Sequence, residues 1–311
     1  SVLFGWPLFI FDHCVNISFK MYQQPVNEGF AINTNPPSAE TLEIAAKELR
    51  ESPEVRQAAI IELRQLLKEA KDLNFRDDDE FLTIFLRPCK FYPKSALDLM
   101  RRIAQFKKDH SIISDVMPDD EKQAFCENDV VNVLTNRDQH GRRVLIINAG
   151  SKWDPKKVTS EQKFRMLYLI HLAAMLEPET QIRGIVVIMD FEGLGMKQIT
   201  SMSPNSSMRL LSFIQDALPL RTKEIHFVKQ PMVFNMVWNM FKPFVREKLK
   251  KRLFFHGDKM KDLHKHISAS HLPKNYDGLL PALDYGGKEW YPLVHQYEDK
   301  VKQWNTYGFK K

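Results

Sequence analysis

The stretch RGIVVIMDFEG, residues 183–193, constrains the fold more than any other part of the sequence. Its apolar residues follow one another without the polar alternation of a half-exposed strand, and it ends on an acidic residue and a glycine. A short apolar run of this kind is typical of a strand that is buried on both faces, as in the centre of a parallel sheet. The sequence therefore predicts a central buried strand here.

Further strand and helix patterns alternate around this run. Short apolar runs predict three more strands, at RRVLIINAG (142–150), KEIHFVK (223–229) and RLFFHG (252–257). Helical spacing predicts two helices, over TSEQKFRMLYLIHLAAMLEPE (159–179) and NSSMRLLSFIQDALP (205–219). Strands that alternate with helices indicate an α/β layer with a partly parallel sheet.

The preceding segment has a helical pattern throughout. From Ser38, leucine, isoleucine and alanine recur at three-to-four spacing, and Pro53 divides the run into two helices. DDDEFLTIFLR (77–87) and YPKSALDLMRRIAQFKKDH (92–110) predict two more amphipathic helices. Residues 38 to about 110 are therefore expected to form a small all-α unit.

The first residues, SVLFGWPLFIF, are apolar but are soon interrupted by Asp12 and His13. They lack a basic leading region and fall short of the roughly 20 apolar residues that span a bilayer. We expect residues 1–20 to lie upstream of the native start near Met21, and the extension before Met21 to be disordered. The alternative is a short apolar segment that packs on the body of the protein.

The net charge and the cysteine content restrict the kinds of partner and the cellular compartment that the sequence is compatible with. The net charge of +6 favours an anionic partner, either nucleic acid or an acidic membrane surface. Cys14, Cys89 and Cys126 have no metal-ligand spacing and cannot all pair, so we expect reduced thiols in a cytosolic protein.

Sequence motifs for catalysis and for cofactors are absent. There is no GxGxxG or GxxxxGK[ST] phosphate loop and no GxSxG nucleophile motif. His264, His266 and His271 form the densest group of histidines, but without a neighbouring cysteine or acidic ligand set they indicate a solvated helix end rather than a zinc site. The sequence predicts that the protein is not an enzyme and holds no metal or cofactor.

The stretch PMVFNMVWNMFKPFVREKLKKR, residues 231–252, joins two different compositions. Residues 232–241 are almost all apolar, and this run is too short to cross a bilayer. Five of the seven residues from Arg246 to Arg252 are then basic. A helix that is apolar on nearly all faces must be buried or lie against lipid, and the basic residues beside it favour an anionic surface.

Several separated motifs resemble the CRAL-TRIO lipid-binding family. They are DDDEFLTIFLRPCKFYPKSALDLM (77–100), WDPKKVT (153–159), GIVVIMDFEGLG (184–195), PLRTKEIHFVKQP (219–231), FKPFVREKLKKRLFFHG (241–257) and LPALDYGG (280–287). Their order and spacing are similar to those of α-tocopherol transfer proteins, cellular retinaldehyde-binding proteins and clavesins, over roughly residues 38–300.

The resemblance implies a CRAL-TRIO fold: an all-α N-terminal module followed by an α/β/α lipid-binding domain with a mixed, mostly parallel sheet and a mobile gate helix. The expected divisions are an N-terminal extension (1–37), the helical module (38–112), the lipid-binding domain (113–290) and a C-terminal tail (291–311).

The same resemblance implies that the apolar half of 231–252 is the gate. Its gate residues are expected to be Val233, Phe234, Val237, Trp238 and Phe241. A few hundred Å² of contact is worth several kcal/mol at about 25 cal/mol per Å² against either ligand or lipid, so opening can be nearly balanced. A core helix of an ordinary α/β domain is the alternative.

Basic residues beside the gate are implied to hold phosphoinositide headgroups. The matching positions are Arg221, Lys223, Lys248 and Arg252. Lys248 and Arg252 are four residues apart, which predicts that they share one helical face and clasp one phosphate group. A solvated charged face is the alternative.

The implied pocket is lined mainly by apolar side chains. The matching positions are Asn148, Phe164, Leu167, His171, Ile185, Met189, Leu210, Phe213, Ile214 and Ile225. Tocopherol transfer proteins have serines where this chain has Leu167 and His171, and a tyrosine where it has Asn148, which disfavours tocopherol itself. Retinoids, carotenoids and other isoprenoids stay open as ligands. His171 is expected either to donate to a ligand oxygen or to be a satisfied core histidine.

These observations favour a non-enzymatic carrier of a hydrophobic ligand that releases it at phosphoinositide-containing membranes. It would be cytoplasmic and reversibly associated with endosomal or plasma membranes. The alternative is a clavesin-like phosphoinositide-binding adaptor in endosomal and clathrin trafficking, with trafficking proteins as partners. A lipid-directed enzyme lacks a visible nucleophile and base, and nucleic-acid binding lacks a recognition motif.

Overall fold

The computed structural model describes residues 31–310, so the expectations for residues 1–20 lie outside the described residues. The chain begins with a helical module. Its elements are α1 (Ala39–Leu49), α2 (Pro53–Glu69), β1 (Leu73–Asn74), α3 (Asp79–Leu86) and α4 (Pro93–Asp109). Ser38 Oγ accepts the Thr41 N–H at the start of α1, and Pro53 is the first residue of α2. The predicted cap and the predicted break are both confirmed.

A five-stranded sheet follows, in which the order of the strands is their order along the chain. The strands are β2 (Val131–Val133), β3 (Arg143–Asn148), β4 (Ile185–Asp190), β5 (Thr222–Val228) and β6 (Leu253–Phe255). β3 to β6 are parallel, and β2 pairs with β3 antiparallel at one edge. The mixed, mostly parallel sheet of an α/β fold is confirmed.

Helices and helical turns connect the strands and continue to the C-terminus. The α-helices are α5 (Lys122–Glu127), α6 (Ser160–Ala174), α7 (Pro178–Arg183), α8 (Met196–Ser201), α9 (Pro204–Ser212), α10 (Phe234–Phe241), α11 (Glu247–Lys250), α12 (Met260–Leu263), α13 (Gly287–Gln296) and α14 (Glu298–Asn305). A π-helical turn, Phe213–Ala217, extends α9. The 3₁₀ turns are Ser111–Ile113, Pro118–Glu121, Lys242–Phe244, Ala269–His271 and Lys274–Tyr276.

Strand β4 shows why its sequence has no polar alternation. Val187 faces the large core that α6 and the helical module share, whereas Val186 and Ile188 face a second core. That second core contains Met260 and Leu263 of α12. Successive side chains of a strand point to opposite faces, so burial on both sides requires an unbroken apolar run.

The segment expected as a C-terminal tail, 291–311, is largely structured. It contains part of α13, all of α14 and β7 (Gly308–Phe309), which pairs antiparallel with β1. The Trp304 ring stacks on Phe85 of α3 with 6.3 Å between centroids. Lys107 Nζ on α4 donates to the Trp304 carbonyl at 2.6 Å. This segment therefore closes the core of the helical module.

Among residues 31–310, no helix combines the length and the apolar content needed to cross a membrane.

Candidate functional site

An apolar cavity of about 160 Å³ lies between the sheet and helices α6, α9 and α10. Predicted pocket and gate residues contribute ten of its side chains: Phe164, Leu167, Met189, Leu210, Ile214, Ile225, Phe234, Val237, Trp238 and Phe241. The sequence interpretation did not include the others: Ala149, Ser160, Lys163, Phe191, Met202, Ser206, Ser207, Leu211, Phe227, Val245, Leu249 and Leu253. Val245, Leu249 and Leu253 each adjoin a basic residue of the 246–252 stretch, and an apolar residue beside a charged one was the available signal.

Four residues predicted for the pocket lie outside this cavity. Asn148 is buried at the end of β3, where its Nδ2 donates to the Asp129 carbonyl at 2.6 Å. His171 and Ile185 line a separate cavity of about 60 Å³ nearer the C-terminal end of α6. Phe213 packs edge-on against the His171 ring, with 5.6 Å between centroids.

His171 has the environment of a satisfied core histidine. Its Nδ1 lies 2.6 Å from the Leu167 carbonyl, one helical turn earlier. Because burial disfavours the charged imidazolium, the pKa of His171 is lowered. When the neutral ring donates its Nδ1–H to the Leu167 carbonyl, Nε2 is the nitrogen that carries no proton and can accept a hydrogen bond.

The inner face of α10 packs on aromatic side chains at the ends of β4, β5 and β6. Phe234 lies 4.7 Å from Phe191, and Trp238 lies 4.9 Å from Phe255, between ring centroids. Phe227 stacks on Phe255 at 4.6 Å. Val233, which precedes the helix, is only partly buried and does not line the cavity. Aromatic contacts therefore hold α10 over the cavity.

The outer face of α10 and the flanking residues carry large apolar side chains in solvent. Met232 is 89% exposed, Met236 58% and Phe244 54%. Adjoining exposed apolar residues of this size are typical of interaction sites rather than of an inert surface. Helix α10 thus has an apolar face toward the cavity, and its solvent side carries exposed methionines beside Asn235 and Asn239.

Lys163 is a charged group at the wall of the apolar cavity. The residue is half-buried on the first turn of α6, and its Nζ lies 3.3 Å from the centroid of the buried Trp153 ring. Burial lowers the pKa of Lys163 from 10.5 to about 7. The hydroxyl-bearing residues Ser160, Ser206 and Ser207 also line the cavity. These side chains give the cavity a small set of polar groups.

Three of the four predicted basic residues come together beside the edge of the sheet. Arg221 Nη2 and Lys223 Nζ both donate to the carboxylate of Glu48 on α1, at 2.6 and 2.8 Å. Arg252 donates to the Thr222 carbonyl, and burial, together with the nearby charge of Arg221, lowers the pKa of Arg252. Lys248 is exposed on α11.

The prediction that Lys248 and Arg252 share one helical face is wrong. Helix α11 ends at Lys250, and Arg252 lies in the turn that leads into β6. Pro243 also separates α10 from α11 through a 3₁₀ turn, so the apolar and basic halves are not one helix. Proline lacks the N–H that would continue the helix.

Glu48 is the acidic partner that the sequence interpretation missed. Burial raises its pKa, but the hydrogen bonds and charges of Lys223 and Arg221 outweigh burial and lower it from 4.5 to about 2. Glu48 is 173 residues from Arg221 in the sequence, so no local pattern could pair them. Arg221, Lys223 and Arg252 form a basic group, and the Glu48 carboxylate already binds the first two of these cations.

The sequence of this chain is similar to one known domain family and to the clavesins. The model of the CRAL/TRIO domain family matches residues 127–278. Clavesin-2 of Mus musculus is 34% identical over 267 residues, which cover 84% of this chain and 81% of that protein. Clavesin-1 of Pongo abelii is 32% identical over 253 residues, or 80% of this chain and 71% of that protein. A solved structure, that of Sfh5, has a TM-score of 0.43 at 18% identity and covers 62% of this chain and 69% of that chain.

Proposed function

Because the chain belongs to the CRAL/TRIO family of lipid-binding, non-enzymatic proteins, we propose that it carries a hydrophobic ligand and releases it at phosphoinositide-containing membranes. The ligand is an isoprenoid-class molecule such as a retinoid or a carotenoid. The protein works in the cytoplasm and associates reversibly with endosomal or plasma membranes.

The observation that carries the proposal is the position of α10, which carries large apolar side chains toward both the cavity and the solvent. A helix that merely completes a core exposes polar side chains outward. In α10 the outward residues Asn235 and Asn239 are accompanied by two flexible methionines, Met236 and Met240, which suit an irregular lipid surface. The helix can therefore exchange contacts with the ligand for contacts with a membrane.

The size of the cavity supports movement of α10. A volume of about 160 Å³ is below the roughly 300–1,000 Å³ of sites that enclose drug-sized ligands. The aromatic contacts of Phe234 and Trp238 are what hold the helix down. Ligand entry separates these contacts and replaces the buried area with ligand.

In this proposal the basic group recognises the anionic headgroups of the membrane. Arg221, Lys223 and Arg252 lie together, and exposed Lys248 adds charge from α11, close to the end of the gate. A phosphoinositide headgroup that binds there competes with Glu48 for the same cations. Binding of the headgroup and opening of the gate are coupled to the extent that the headgroup binds the open state more tightly.

Transfer between vesicles tests the proposal. Purified full-length protein is mixed with donor vesicles that contain retinol and with acceptor vesicles, with or without phosphatidylinositol bisphosphate. We expect the phosphoinositide in acceptors to accelerate transfer. Equal rates on both acceptors would refute the coupling, and no transfer of retinol or of a carotenoid would refute the carrier function.

A second candidate function is a phosphoinositide-binding trafficking adaptor in which the pocket lipid is structural. The similarity to clavesin-2 and clavesin-1 favours it, because the adaptor role was inferred from the resemblance to clavesins. Mass spectrometry of organic extracts distinguishes the two. One isoprenoid per chain supports the carrier, whereas phospholipid alone, or nothing, supports the adaptor.

A further inference from the structure

A group of histidines lies on the face of the sheet opposite the cavity. His226 on β5 is fully buried, and its ring lies 5.0 Å from that of His266 and 5.2 Å from that of His256, between centroids. Glu224, two residues before His226, points to the same face of the strand. The strand and the turn after α12 thus bring together residues that are about 40 positions apart.

One nitrogen of this group has no hydrogen bond. Within residues 31–310, Nε2 of His226 is buried without a hydrogen-bond partner, and it lies 3.5 Å from Glu224 Oε2. Nδ1 of the same ring is 2.9 Å from Nε2 of His256. When Nδ1 carries the proton and donates to His256, Nε2 presents its lone pair toward Glu224.

We infer that Glu224, His226 and His266 form a binding site for a divalent transition-metal ion of the zinc type. Their donor atoms all lie within 4.8 Å of one another, and His266 Nδ1 is 3.3 Å from Glu224 Oε1. A zinc ion about 2.0–2.2 Å from each ligand requires separations of roughly 3–3.5 Å. The His266 Nδ1–Glu224 Oε1 pair already meets this requirement. The other two pairs lie within 4.8 Å and close by a small rotation of the Glu224 carboxylate and of the partly exposed His266 ring.

The donor set selects the class of metal. Two imidazoles and one carboxylate suit zinc and related transition metals, whereas magnesium and calcium prefer oxygen ligands. Glu224 and His266 are each about one quarter exposed, which leaves room for water as a fourth ligand. His256 acts as a positioning residue that fixes the ring of His226, as outer-shell partners do in known metal sites.

One neighbouring charge opposes the metal. Arg142 Nη1 donates to Glu224 Oε2 at 2.9 Å, and its guanidinium also binds Asp138. Because Asp138 neutralises part of this charge and Glu224 Oε1 stays directed at His266, the carboxylate can bind the arginine and the metal through different oxygens. The site is therefore expected to bind zinc more weakly than an otherwise identical site without the arginine.

The sequence interpretation assigned His266 to a solvated helix end because no acidic ligand set stood beside it. The missing ligands are supplied by β5, which no spacing rule connects to the turn after α12. This inference is independent of the carrier function, because the site and the cavity lie on opposite faces of the sheet.

Zinc titration of the purified, chelator-treated full chain tests the inference. Isothermal calorimetry is expected to give one zinc per chain for the wild type and for His140→Gln, which removes an exposed imidazole elsewhere. H266Q and E224Q are expected to weaken binding by more than the about 10–100-fold that loss of an outer-shell partner costs. Circular dichroism confirms that each variant folds.

Cobalt(II) provides a readout that needs no variant. Wild-type protein loaded with cobalt should show the ligand-field absorption of a site with nitrogen and oxygen donors. No zinc binding and no cobalt bands in the wild type would overturn the inference. Undiminished binding by folded H266Q would also overturn it, because the metal would then sit elsewhere.

Discussion

The carboxylate of Glu48 offers the most direct test of how the basic group is controlled. It accepts hydrogen bonds from both Arg221 and Lys223, so it holds the two cations that the proposed headgroup needs. Glu48→Gln keeps the shape of the side chain and removes its charge. We expect tighter binding to phosphoinositide vesicles and a small loss of stability.

The expected magnitude follows from the pKa of Glu48, which is lowered from 4.5 to about 2. Taken at face value, this shift is worth about 3 kcal/mol at 1.36 kcal/mol per pKa unit. The side chain is 41% exposed, however, and solvent screens such pairs to about 1 kcal/mol or less. If Glu48 competes with the headgroup by about 1 kcal/mol, Glu48→Gln lowers the apparent dissociation constant for phosphoinositide about fivefold.

The pH dependence has a defined sign. Because the folded pKa is depressed, the stabilisation by Glu48 is present above its unfolded pKa of 4.5 and is lost as the pH falls toward 2. Thermal unfolding of the wild type and Glu48→Gln should therefore differ most above about pH 5 and converge toward pH 2. Equal differences at all pH values would contradict the ion-pair origin.

Co-sedimentation with vesicles that contain phosphatidylinositol bisphosphate measures the binding. The control is Glu43→Gln, which makes the same change of net charge at an exposed position of the same helix. An equal gain for both variants would show only non-specific attraction. No gain for Glu48→Gln would refute the competition between Glu48 and the headgroup.

Four further changes test the cavity, the gate and the basic group. Lys248→Ala with Arg252→Ala should weaken phosphoinositide binding about thirtyfold, at about 1 kcal/mol per residue, and leave retinol affinity unchanged in a fluorescence titration. Leu167→Asp places a charge in the cavity and should abolish retinol binding, with a loss of about 3 kcal/mol in the free energy of unfolding by urea. Met232→Glu should slow vesicle transfer about tenfold without changing retinol affinity, because the residue is 89% exposed and is available to the membrane. Lys163→Met should raise stability by about 1 kcal/mol at or below pH 7, where burial penalises the ammonium, and the gain should vanish above pH 10.5, where the lysine is neutral in both states.

Matched variants control for general effects of each change. Lys261→Ala with Lys288→Ala removes two exposed charges elsewhere, Met196→Glu alters a methionine that is 55% exposed on α8, and Lys157→Met alters an exposed lysine. Equal effects of the control and the test variant would contradict the assigned role in each case. The role of Leu167 in the cavity is contradicted if the folded Leu167→Asp variant binds retinol normally.

Local sequence determined the elements of this protein. The cap at Ser38, the break at Pro53 and the unbroken apolar run of β4 depend on hydrogen bonds and side-chain directions within a few residues. The family resemblance implied that Phe164 and Leu167 would line one pocket, and their three-residue spacing places both on one face of α6, where they line the cavity. These inferences succeeded because each depends on the geometry of one element.

The tertiary structure decided which distant side chains meet. It placed His171 beside a separate cavity near the C-terminal end of α6, set Glu48 against Arg221, and brought Glu224 to His266. It also packed Trp304 into the helical module instead of leaving a free tail. The physical reason is that such contacts depend on strand order and on the rotation of each helix about its axis. Both are fixed only when the whole core packs, because no local hydrogen bond or spacing specifies them.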